Sequence, residues 1–188
     1  MGLLTYDTLL MRQVASVLAN DFSILGPDGQ PVGQVKTVGH LLKRLVMGNR
    51  ELDVCELDGA LVLKVVDRVT MGRDRMSIVG PDGSEIAELV QEITLFKPKV
   101  SIHMASGESL VLRGNLWERD FTVAGEAGGL ATASRHFGSV MDMFIERDLY
   151  ALSFTPGAAP EYRAAIIGAL IGFDLMRAKQ QPGFPWSS

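Results

Sequence analysis

The sequence predicts a mainly β domain, an antiparallel meander of short strands that ends in one buried helix. Three observations carry that expectation. The tetrapeptide Gly-Pro-Asp-Gly occurs twice, at residues 26–29 and 80–83. Glycine-containing turn signals recur at roughly 20-residue intervals, after every second apolar segment. Residues 164–173 are apolar on every helical face, unlike anything that precedes them.

Each Gly-Pro-Asp-Gly reads as a hairpin turn. Pro sets φ at the first central position, Asp suits the second, and the last Gly supplies the left-handed residue that returns the chain in register. Residues 22–25 and 76–79 lead in, and residues 32–38 and 85–94 lead out. In the second return, Ile86, Leu89 and Ile93 interleave with Glu85, Glu88, Gln91 and Glu92. That alternation is imperfect, which predicts bulges. The common pattern of residues 22–38 and 76–96 fits a partial duplication.

Further turn signals at Asp58-Gly59, Ser106-Gly107, Gly125 and Gly128-Gly129 separate apolar segments at 61–69, 100–104, 110–116, 121–124 and 130–137. Such a meander needs closure into a barrel, or a second sheet, to protect its edges. Residues 8–19 fit either a helix, with Leu10, Val14, Val17 and Leu18 on one face, or a strand. Periodicity alone does not decide between them.

Pro160 opens the helical segment, which runs through Lys179 and ends in Arg177 and Lys179. A helix without a polar face belongs in a protein core or a bilayer, and this run falls short of the roughly 20 residues that a span needs. The expectation is a helix inside the β structure and no transmembrane segment. Gly168 and Gly172 have the GxxxG spacing, read here as room for strands to approach the helix rather than as a membrane dimer face. Asp174 follows the apolar run directly. Burial of its carboxylate requires a donor, so it is predicted to clamp helix to barrel.

Composition narrows the function. The 188 residues carry 18 Lys plus Arg against 22 Asp plus Glu, a net charge of −4, with a pI near 5.4. That is the wrong sign for a nucleic-acid binder. One domain over residues 1–181 with a short tail at 182–188 is expected. The lone Cys55 cannot form an internal disulfide, which fits core filler in a reducing compartment. The first ten residues lack a basic region followed by a long apolar stretch, and Tyr6 stands where a myristoylation signal requires Ser or Thr. The expected location is cytoplasmic and peripheral to the membrane.

Candidate chemistry is sparse. No nucleophile elbow, Walker loop, dinucleotide fingerprint or zinc-ligand spacing is present, and His40, His103 and His136 share no ligand spacing. No catalytic residue, metal or cofactor is expected. Basic residues instead gather at His40, Lys43, Arg44 and Arg50, among Leu41, Leu42, Leu45, Val46 and Met47, and again at Arg68, Arg73 and Arg75. The first group makes a short basic amphipathic segment suited to an anionic phospholipid surface, each charge contributing about 1 kcal/mol. A solvated barrel rim is the alternative reading.

Residues 76–100 (MSIVGPDGSEIAELVQEITLFKPKV), 116–121 (LWERDF) and 162–179 (YRAAIIGALIGFDLMRAK) resemble the LURP-one-related and phospholipid-scramblase branches of the tubby C-terminal-like superfamily. The resemblance implies a closed antiparallel β-barrel of about twelve strands threaded by a central hydrophobic C-terminal helix. It further implies a non-enzymatic domain that binds lipid headgroups or a membrane surface. The chain departs from scramblase-like members in lacking a proline-rich N-terminal region, a cysteine cluster and an acidic calcium segment. Residues 153–160 hold no carboxylate for calcium. A protein-interaction scaffold, with an unknown protein as partner, and an enzyme with a cryptic site in the barrel mouth are the alternatives.

Overall fold

The structure, a computed structural model, describes residues 2–12, 22–38, 51–68, 75–92, 99–115, 120–134 and 149–179. Among these, a 3-10 turn at Leu3–Thr5 precedes β1 (Thr8–Arg12), β2 (Phe22–Leu25), β3 (Pro31–Val38), β4 (Glu51–Glu56), β5 (Leu61–Arg68) and β6 (Arg75–Val79). Then follow β7 (Glu85–Glu92), β8 (Lys99–Met104), β9 (Ser109–Asn115), β10 (Asp120–Gly125), β11 (Gly128–Ser134), β12 (Leu149–Phe154) and the helix α1 (Pro160–Lys179). Strands pair antiparallel with their sequence neighbours, and β1 pairs with β12, so the sheet closes into a barrel. Closure leaves no free sheet edge, which answers the edge problem that the meander posed.

The two Gly-Pro-Asp-Gly turns form as their residues dictate. Gly29 and Gly83 sit at φ 77° and 85°, and their N–H groups donate to the carbonyls of Gly26 and Gly80 at 3.0 Å. Asp28 and Asp82 accept the N–H two residues on. Glu56-Leu57-Asp58-Gly59 builds the same turn with other residues, Gly59 N–H reaching Glu56 O at 3.0 Å and Ala60 N–H reaching Asp58. The predicted bulges occur beside these turns, at Ile24/Leu25, Val54/Cys55 and Ile78/Val79, with a fourth at Val123/Ala124. These hairpin turns, the β8–β9 turn and the β12–α1 connection fall at one end of the barrel, here called the hairpin end.

Alternate residues of each strand point inward. On β5 to β7 these are Leu63, Val65, Met76, Ile78, Ala87 and Leu89, all fully buried, each contributing about 1.5–3 kcal/mol where the side chain is large. The helix is buried on every face from Arg163 to Met176 and packs chiefly on β5, β6, β7 and β8. A Cβ on Gly168 would lie 2.8 Å from Ile78 Cγ2, and one on Gly172 would lie 3.1 Å from Leu89 Cδ2. The GxxxG spacing is therefore a packing device between helix and barrel wall. Among the described residues no helix is long and apolar enough to cross a membrane.

Residues 8–12, which fit helix or strand in isolation, are strand β1, because five residues of β12 pair with them, from Thr8 opposite Ser153 to Arg12 opposite Leu149. Strands β4 and β12 lie outside the segments the sequence reading picked out.

Candidate functional site

The hairpin end is held together by side chains from the first turn of α1. Arg163 is 5% exposed. Its Nη1 donates to Tyr6 O at 2.6 Å, its Nη2 to Asp7 Oδ1 at 2.6 Å and its Nε to Ala158 O at 2.9 Å. The guanidinium carbon sits 5.0 Å from the centroid of the Phe154 ring, within cation–π range. A buried charge is tolerable when paired and hydrogen-bonded in this way, and the result ties the start of the helix to the chain entering β1.

Two carboxylates serve similar ends. Tyr162 donates its hydroxyl to Glu108 Oε2 at 2.6 Å, and Glu126 N–H donates to Glu108 Oε1 at 3.0 Å. The tyrosine hydroxyl, then that N–H, hold the Glu108 carboxyl below its ordinary range, while the same hydrogen bond pushes Tyr162 above its own. Glu56, at the end of β4, accepts the Leu3 N–H on both oxygens, at 2.8 and 3.0 Å.

Two hollows open beside these ties. One, of about 430 Å³, has Leu4, Leu61, Val62, Ile86 and Ala164 on its walls and Glu56 and Glu161 as its charged groups. The other, of about 570 Å³, is lined by Tyr6, Pro31, Val32 and Leu57 with Glu56 and Asp58. They share Glu56. Leu57, on the turn between them, is 58% exposed.

Charge at this end has one sign. Residues 2–7, 26–30, 56–60, 80–85, 104–109, 124–128 and 155–163 hold nine carboxylates and a single cation, the buried Arg163. Their net charge is −8, so with −4 for the whole chain the remaining residues carry +4.

The predicted lipid-binding residues His40, Lys43, Arg44 and Arg50 lie outside the described residues; the flanking Val38 and Glu51 pair with each other on the rim opposite the hairpin end. Asp174 is fully buried, in the last part of α1. His103 is exposed on the outer wall, where its Nδ1 lies 2.9 Å from Ser109 Oγ. Cys55 is buried, and burial, then Asp53, pushes its thiol up. Among the described residues no three His, Cys, Asp or Glu side chains gather in a metal-binding group. Sequence reasoning assigns no role to Arg163, and to the carboxylates of the hairpin turns none beyond turn formation. A cation one turn inside an otherwise apolar helix was the available signal for the first.

A closed twelve-stranded antiparallel barrel, filled by its own last helix and acidic at one end, defines the class of this protein. Its family follows: the LURP-one-related family model matches residues 7–174, and the chain belongs to that family. The X-ray structure of a protein from Arabidopsis thaliana is similar to this chain at 11% identity and a TM-score of 0.38, covering 64% of this chain and 82% of that one. No curated protein matches the sequence.

Proposed function

We propose that the protein is a non-enzymatic binding barrel whose basic end rests on an anionic phospholipid surface, at the periphery of a membrane. The observation that carries this reading is the segregation of charge: −8 at the hairpin end against +4 in the rest of the chain. Residues 39–50 supply Lys43, Arg44 and Arg50 and no carboxylate. With the barrel interior taken by α1, ligands are left the outer wall and the two ends. The resemblance to scramblase-like domains supports the same ligand class. A basic cluster gains about 1 kcal/mol per charge at an anionic surface and loses it beyond a Debye length of about 8–10 Å.

Co-sedimentation with phosphatidylserine-rich vesicles tests the reading. Association is expected at low salt, with release as salt rises and no effect of calcium. The triple substitution Lys43→Gln, Arg44→Gln, Arg50→Gln removes about 3 kcal/mol of attraction and abolishes binding. No association at low salt, or association that survives the triple substitution, refutes the proposal.

A further inference from the structure

We infer that the two hollows at the hairpin end form one docking groove for a partner protein segment that presents apolar side chains beside Lys or Arg. The partly buried apolar surface of the core gathers there: Leu4, Val62 and Ile86 line one hollow, and Tyr6 and Val32 line the other. Leu57, on the turn that borders the second hollow, adds an exposed apolar side chain. Five of the eight partly buried hydrophobic residues packed on the core among the described residues line these two hollows, and open apolar surface gathered in this way marks an interaction site. The volumes, about 430 and 570 Å³, suit large side chains.

Charge selects the occupant. The groove holds Glu56, Asp58 and Glu161, and the hairpin end as a whole, these three included, carries −8. An anionic lipid or a nucleic acid is repelled, whereas a segment that pairs apolar anchors with flanking cations meets complementary charge. The mode of contact is set by topology. Every strand of the closed barrel already has two neighbours, so a partner cannot add a strand and must insert side chains, as an amphipathic helix does with anchors three and four residues apart. The groove walls are pre-ordered by the Glu56 carboxylate on Leu3 N–H and by the Asp58 turn, which lowers the ordering cost of binding.

The test uses the full chain and a fluorescein-labelled synthetic helix of Leu and Lys with the Leu residues on one face, read by anisotropy. Binding is expected, weakening as salt rises. Ala60→Trp, at an exposed position on the groove wall, should weaken it roughly tenfold by filling the hollow, and Glu161→Lys roughly fivefold by reversing a charge. The Lys43, Arg44, Arg50 triple variant should bind the helix as the parent does. Equal binding of a helix with Glu for Lys, or with Ser for Leu, overturns the inference, as does affinity unchanged in both groove variants. If Ala60→Trp lowers the melting temperature, Glu161→Lys alone decides. Loss of vesicle association in the groove variants would make this a lipid site instead, which also overturns it.

Discussion

Replacing Gly168 by Ala sets two known effects against each other. An Ala in a helix interior gains about 1 kcal/mol over Gly. Here the new methyl would lie 2.8 Å from Ile78 Cγ2 and 3.0 Å from Ile78 Cγ1, whereas carbon contacts are most favourable at about 3.5–4.0 Å. Both atoms hang on the branched Cβ of Ile78, a side chain with little freedom to turn away. Overpacking of this kind costs about 1–3 kcal/mol, so Gly168→Ala should destabilise the protein by about 1 kcal/mol net. Ile78→Ala removes every atom of the clash and alone costs about 2–5 kcal/mol. In that background Gly168→Ala should stabilise by about 1 kcal/mol, a coupling of about 2 kcal/mol between the sites. Gly172→Ala is the internal control: its closest contact, Leu89 Cδ2 at 3.1 Å, is the far end of a flexible side chain, and the change should be near neutral. Urea unfolding of the four members of the cycle, with equal m-values, measures the coupling. Stabilisation by Gly168→Ala in the parent, or additivity within about 0.5 kcal/mol, would refute this account of the helix–barrel contact.

Arg163→Met removes the guanidinium from the Phe154 ring and strands the Tyr6 and Ala158 carbonyls. Because Asp7 is 64% exposed and can rehydrate, the loss should fall at the low end of the buried-pair range, about 3 kcal/mol. Calorimetry should show a melting temperature lowered by roughly 6–12 °C, and an unchanged value would mean that the arginine does not secure the helix. Asp174 we propose as the clamp at the other end of α1; Asp174→Ala should cost about 3 kcal/mol by leaving its donor buried and unpaired, and a urea midpoint equal to the parent's would rule this out. Glu108 titrates lower in the folded state, so its contribution is complete above about pH 4.3 and is lost as pH falls through the folded value. Tyr162 titrates higher, so its contribution is complete below about pH 10 and is lost as pH rises toward the folded value. Tyr162→Phe should flatten both limbs of the melting temperature against pH, and a profile superimposable on the parent's would show that the pair does not couple to folding.

The fold was legible wherever local chemistry and tertiary context agree. Gly-Pro-Asp-Gly has few uses other than a hairpin turn, and both copies form one. The segment 164–173 has no face that water could solvate, and it lies inside the barrel. Strand β4, Glu51-Leu52-Asp53-Val54-Cys55-Glu56, was hidden because its acidic outward residues mimic a loop. Strand β12 was hidden because Leu149–Phe154 is apolar but for Ser153 and buried without a clean alternation, and only pairing with β1 and β11 marks it as strand. The acidic end was hidden for another reason. Its carboxylates are scattered from Asp7 to Glu161 and come together through alternation of strand direction, a property of topology rather than of any sequence window.

That topology also makes the two proposals electrostatically separate. Twenty residues of α1 span about 30 Å at 1.5 Å per residue, and the helix runs from the hairpin end toward the opposite rim. The Debye length at physiological salt is about 8 Å, so charges at the two ends are screened from one another several times over. A cationic segment docked beside Glu161 therefore gains from the local carboxylates and not from the net −4 of the molecule. In the membrane reading proposed above, an anionic surface likewise meets Lys43, Arg44 and Arg50 rather than the net −4. The net charge, taken alone, argues against strong attachment to any anionic surface; the distribution removes that objection. With Val38 and Glu51 on the opposite rim, the proposed membrane contact leaves the hairpin end, with its apolar groove, facing away from the bilayer.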